Sequence, residues 1–105
     1  MVDQIVIDKA IALLREAAQP RKIILFGSYG RGEARKESDV DLLIVETDVS
    51  DSITEMARLN RVLSPLRIST DLLVVSQEMF DYWASTPGNV YFEAIREGKV
   101  LYEAA

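Results

Sequence analysis

The sequence predicts a small mixed α/β sheet covered by helices, and three observations carry that expectation. Short continuous apolar runs rich in Ile, Leu and Val recur at 22–26, 40–45 and 71–75, which is the pattern of strands buried on both faces. Between them lie stretches whose apolar residues return at helical spacing. No internal repeat, low-complexity tract or linker divides the chain, so its 105 residues read as one domain, 1–105.

Taken in order, Ile7, Ala10, Ile11, Leu14, Ala17 and Ala18 predict an amphipathic helix over about 3–19, with Asp3 as its N-terminal cap and Pro20 as its end. Lys22 to Phe26 is the first strand, stopped by Gly27. Ser28 to Gly32 starts a short helix or tight turn, with Gly30 and Gly32 keeping it open, and Glu33 to Glu37 is a charged loop. Val40 to Val45 is the second strand. Ile53, Met56, Ala57, Leu59 and Leu63 place a helix over 51–63, opened by Asp51 or Ser52 and closed near Pro65. Asp71 to Val75 is the third strand and Gln77 to Ala84 a helix carrying Met79, Phe80, Tyr82 and Trp83. After the break at Pro87-Gly88, Asn89 caps a helix through Arg96, Gly98 terminates it, and Lys99 to Tyr102 returns as an edge strand.

Composition narrows the chemistry. Apolar residues make up 49% and charged residues 28%, the balance of a soluble globular chain, and no apolar run reaches the ~18 residues a membrane span needs. Asp3, Asp8 and Lys9 interrupt the N-terminus, which therefore lacks the pattern of a secretory signal, and a cytoplasmic location is expected. There is no cysteine and no histidine, so catalysis would run on carboxylates, hydroxyls, Lys/Arg and bound metal. A net charge of -5 disfavours direct nucleic-acid binding and suits a basic protein partner.

Asp39 and Asp41 lie two apart at a strand mouth, on one face with Cα atoms roughly 6.5 Å apart, while Val40, Leu42 and Ile44 turn to the core. Such a pair either caps a turn or offers hard oxygen ligands to Mg2+. Asp71 opens a strand of similar composition and could bring a third carboxylate, and three acids that close repel one another unless a cation holds them. Gly27 and Ser28, after a buried strand, supply a close backbone approach and donors suited to phosphate. Arg31 either adds a cation for a triphosphate or pairs with Glu33 or Glu37.

Gly27-Ser28-x-x-Arg31-Gly32, five residues, Ser38-Asp39-x-Asp41-Leu42, and an Asp about thirty residues on at a strand start together resemble the minimal nucleotidyltransferase family of the DNA polymerase beta-like superfamily. The segment Glu93 to Glu103 also resembles the end of such domains, and Gly30 departs from the alanine common in relatives. The resemblance implies a nucleotidyltransferase fold and transfer of AMP from ATP to an acceptor hydroxyl, with pyrophosphate leaving and two Mg2+ ions as cofactors. Asp39 and Asp41 would hold both ions, Asp71 would bind the catalytic ion and help deprotonate the acceptor, and Gly27 and Ser28 would hold the outgoing phosphates.

A chain of 105 residues leaves no room for a substrate-binding domain, so the acceptor is expected to bind by its own surface. Minimal nucleotidyltransferases of this kind pair with a HEPN-type ribonuclease toxin and attach AMP to a tyrosine near its active site. The leading expectation is therefore an antitoxin that acts as a protein adenylyltransferase. Two others stand beside it: a small-molecule nucleotidyltransferase of the aminoglycoside-modifying kind, and a non-catalytic subunit that neutralises its partner by covering it. Tyr82, Trp83 and Tyr91 are candidates for the partner surface, or else belong to the core.

Overall fold

The computed structural model describes residues 1–105. Nine elements follow the expected order: α1 (Gln4–Ala18), β1 (Lys22–Phe26), α2 (Gly27–Gly30), β2 (Val40–Glu46), α3 (Ser52–Leu63), β3 (Thr70–Ser76), α4 (Gln77–Ala84), α5 (Val90–Glu97) and β4 (Lys99–Glu103), with a 3₁₀ turn at Ser64–Leu66. The strands form one sheet in the order β3-β2-β1-β4. β1 pairs antiparallel with both β2 and β4, whereas β2 and β3 run parallel, joined by the crossover through α3. The sheet is therefore mixed, and β4 lies at its edge as the sequence suggests.

β2 is covered on both faces, which is why its apolar run is continuous rather than alternating. Val40, Leu42 and Ile44 pack with Ile7, Ala10 and Leu14 of α1 and Leu59 and Leu63 of α3. Leu43 and Val45 turn the other way, joining Ile24 and Val75 beneath Phe80 of α4 and Ala94 of α5. Each of the five β2 side chains has no accessible surface, and burial of a Leu or Ile stabilises by roughly 1.5–3 kcal/mol. No helix is long and apolar enough to cross a membrane.

Three helices carry side-chain caps, two of them, Asp51 and Asn89, at positions the sequence suggests and the third, Ser76, seen only in the structure. Asp51 Oδ1 accepts from the amides of Ile53 and Thr54, Ser76 Oγ from that of Met79, and Asn89 Oδ1 from those of Tyr91 and Phe92. Asp3 differs: it occupies the cap position of α1, but only its carbonyl accepts, from Val6 and Ile7, and its side chain makes no cap bond. Gly98 ends α5 by another route than left-handed backbone. It is extended (φ −85, ψ 178), and a Cβ there would come within 2.7 Å of the Leu25 carbonyl oxygen, so the absence of a side chain is what the position needs.

Candidate active site

The central position of β2 gives Asp41 two neighbours. It stands opposite Phe26 across the antiparallel ladder and opposite Asp71 across the parallel one. Adjacent strands lie roughly 4.8 Å apart, so Asp41 and Asp71 are side by side on one face, and Asp39, two residues earlier, joins that face just ahead of the strand. The residue after Phe26 is Gly27, which is why the glycine meets the aspartate. Gly27 has φ +63, and a Cβ there would overlap Oδ2 of Asp41, so the carboxylate fills the space the glycine leaves.

From Gly27 the chain turns into α2. Ser28 is half-buried, and its carbonyl accepts from the Glu33 amide at 2.8 Å, closing the turn. Tyr29 is buried, its hydroxyl accepting from the Val2 amide at 2.8 Å, which fastens the chain start under the turn. Gly30 corrects the expectation of an open turn. It is packed, and a Cβ there would sit 2.6 Å from the Leu25 carbonyl oxygen and 3.3 Å from Gly98 Cα. Gly32 does stand in open space, at φ +72.

Burial first, then the charges of Asp71 and Asp39, push the Asp41 carboxyl above the usual range, while the Arg31 guanidinium pulls it back. Arg31 pairs with Glu33 (3.7 Å) and with Glu97 at the end of α5 (3.6 Å), and not with Glu37. Both contacts are long and partly exposed, so Arg31 is lightly held. Asp39 Oδ1 accepts a hydrogen bond from Ser69 Oγ.

The donor set fits Mg2+. It consists of carboxylate oxygens, two of them on directly paired residues whose mutual repulsion a cation relieves. As arranged, no three acidic side chains already close around a common point.

Sequence reasoning missed Ser69, Glu97 and a half-buried acid at the other end of β2, Glu46. Glu46 neighbours Glu55, which Arg58 grips through two contacts of 2.7 Å. Burial, then the neighbouring Glu55 carboxylate, push Glu46 up to about 8. Glu55 is held down at about 2, chiefly by Arg58. The spacing of Glu55 and Arg58 on a helix was a readable signal, but Glu46 and Ser69 become partners only through the fold. Of the three aromatic candidates, Tyr82 is 67% exposed and meets Trp83 edge-on at 4.8 Å, while Trp83 and Tyr91 are half-buried.

Known proteins resemble this chain in sequence and fold. The family model described as polymerase beta, nucleotidyltransferase, matches residues 8–105. A chain of Methanocaldococcus jannaschii, provisionally named protein adenylyltransferase MJ0604, is 34% identical over 82 residues, 78% of each chain. A toxin-antitoxin crystal structure with AMP-PNP matches at a TM-score of 0.63 and 26% identity, over 92% of this chain and 73% of the other. The structure of a tri-AMPylated Shewanella oneidensis HEPN toxin in complex with MNT antitoxin matches at 0.60 and 25% identity, over 96% and 72%.

Proposed function

The chain belongs to the polymerase beta nucleotidyltransferase family, and from that membership we propose that it moves AMP from ATP to a tyrosine hydroxyl of a HEPN-type ribonuclease toxin, acting as its antitoxin. The observation that carries the reading is the in-register pair Asp41 and Asp71 beside the Gly27 turn. The adenylyltransferase name of the Methanocaldococcus relative and the AMPylated HEPN toxin in the Shewanella complex support the choice of acceptor.

In the reaction, the acceptor oxygen bonds to the α-phosphorus of ATP, the bond from that phosphorus to the bridging oxygen of the β-phosphate breaks, and pyrophosphate leaves. Asp39, Asp41 and Asp71 would hold two Mg2+ ions, which would supply neutralisation of the phosphate charge and a more acidic acceptor hydroxyl. Asp71 helps take the hydroxyl proton. Gly27 and Ser28 bear on the outgoing phosphates, and Arg31, held only by long contacts to Glu33 and Glu97, can turn to them. The domain is taken as 1–105 and the location as cytoplasmic. The chain's charge of -5 suits a basic partner over a nucleic acid.

The test mixes the chain with ATP, Mg2+ and the HEPN protein of a neighbouring gene and reads intact masses. An AMP adduct on the partner that is absent with Asp39→Asn and Asp41→Asn is the expected result. Inhibition that survives both changes without an adduct would favour neutralisation by covering, and modification of an aminoglycoside would favour the small-molecule reading.

A further inference from the structure

We propose that Ser69 is a positioning residue that sets the orientation of Asp39, leaving one carboxylate oxygen for the cation; this rests on the reading of Asp39 as a metal ligand.

The parallel register that sets Val40 against Thr70 continues outward to place Asp39 opposite Ser69. Two bonds join these residues. The Val40 amide donates to the Ser69 carbonyl at 2.9 Å, and Ser69 Oγ donates to Asp39 Oδ1. Ser69 is itself steadied from α3, because the adjoining Thr70 hydroxyl donates to Asn60 Oδ1 at 3.3 Å and Asn60 Nδ2 donates to the Met56 carbonyl at 3.0 Å. The serine hydroxyl therefore acts from a fixed backbone.

Asp39 is exposed, and rotation into solvent would move its charge away from Asp41 and Asp71. A hydrogen bond to an ionised carboxylate is stronger than one between neutral groups, and it opposes that rotation. The bond occupies Oδ1, and Oδ2 remains for the cation. Residues that orient metal ligands typically contribute about 10–100-fold in metal affinity.

The experiment titrates Mn2+ into the nucleotide-free full chain and follows the loss of free-Mn2+ EPR signal for the native protein, Ser69→Ala, Ser69→Thr and Asp39→Asn, with AMP transfer to the partner measured in parallel. The expected result is a roughly 10-fold weaker Mn2+ affinity for Ser69→Ala and recovery to within about 3-fold for Ser69→Thr, which keeps the hydroxyl. Thermal unfolding of each variant shows whether a loss comes from misfolding, and a Ser69→Ala chain that melts like the native one yet binds Mn2+ 10-fold less well supports the assignment. If Ser69→Ala binds Mn2+ as the native chain does while Asp39→Asn does not, the positioning role is overturned and the metal site stands. If Asp39→Asn binds as well as the native chain, the ligand reading falls and this inference with it.

Discussion

Gly27 and the carboxylate of Asp41 occupy adjoining space so closely that a single methyl on Gly27 would overlap Oδ2. Gly27→Ala therefore either displaces Asp41 or distorts the turn, and it adds about 1–2 kcal/mol of strain at φ +63. AMP transfer is expected to fall at least about 100-fold while circular dichroism stays native. Activity within a few-fold of native would show that the turn yields without moving the aspartate.

Asp71→Asn separates catalysis from stability. The Asp41 carboxyl is raised by burial and by its acidic neighbours, so in the metal-free chain its ionisation costs stability as pH rises past the unfolded value of 3.8. Removing the Asp71 charge relieves part of that cost. Metal-free melting at pH 7 is expected to rise by about 2–4 °C, a gain of ~0.5 kcal/mol, with AMP transfer lost. A fall in melting temperature would contradict the repulsion described for this pair.

Glu46 and Glu55 give the stability curve opposite slopes on either side of pH 4.5. Glu46, raised to about 8, binds a proton in the folded state that the unfolded chain has released, so stability is lost between about pH 4.5 and 8. Glu55, lowered to about 2, contributes stability that is present above 4.5 and lost as pH falls toward 2. The chain has no histidine, the side chain that ordinarily changes charge in this range. Urea unfolding should therefore show a native chain weaker at pH 8 than at pH 5, and Glu46→Gln should flatten that difference. An unchanged slope in the variant would assign the pH dependence elsewhere.

Gly30→Ala should destabilise this chain. The new methyl presses on the Leu25 carbonyl 2.6 Å away, which is backbone and cannot rotate aside. A loss of about 1–3 kcal/mol in urea unfolding is expected, with AMP transfer per folded molecule kept within a few-fold. A neutral substitution would mean that α2 shifts as a unit.

Element identity was legible because each strand or helix announces itself locally. The β2 run of apolar residues, the caps Asp51 and Asn89, and the break at Pro20 depend on neighbours in sequence alone. The grouping of Asp41 with Asp71 was legible only as an expectation, since it depends on a parallel register that no local pattern writes. Ser69, Glu97 and Glu46 lay beyond reach for the same reason: each acquires its role from a partner 30, 66 or 9 residues away, at Asp39, Arg31 and Glu55 respectively. Gly30 was misread because glycine suggests an open turn, whereas here it makes room for the Leu25 carbonyl; Gly98 caps α5 as expected, and it too lies against that carbonyl.

The parallel register of β2 and β3 also bears on how the protein comes to life after synthesis. Asp41 and Asp71 meet only when the intervening chain, α3 included, has closed its crossover, and pairing of that kind carries a loop-closure cost before any contact offsets it. Secondary structure can form and the first hairpin of β1 and β2 can close without bringing these two acids together. Recovery of nucleotidyl transfer after dilution from denaturant thus reports the closing of this crossover rather than the formation of secondary structure. Chains caught short of that step would present the partner with a surface but no chemistry.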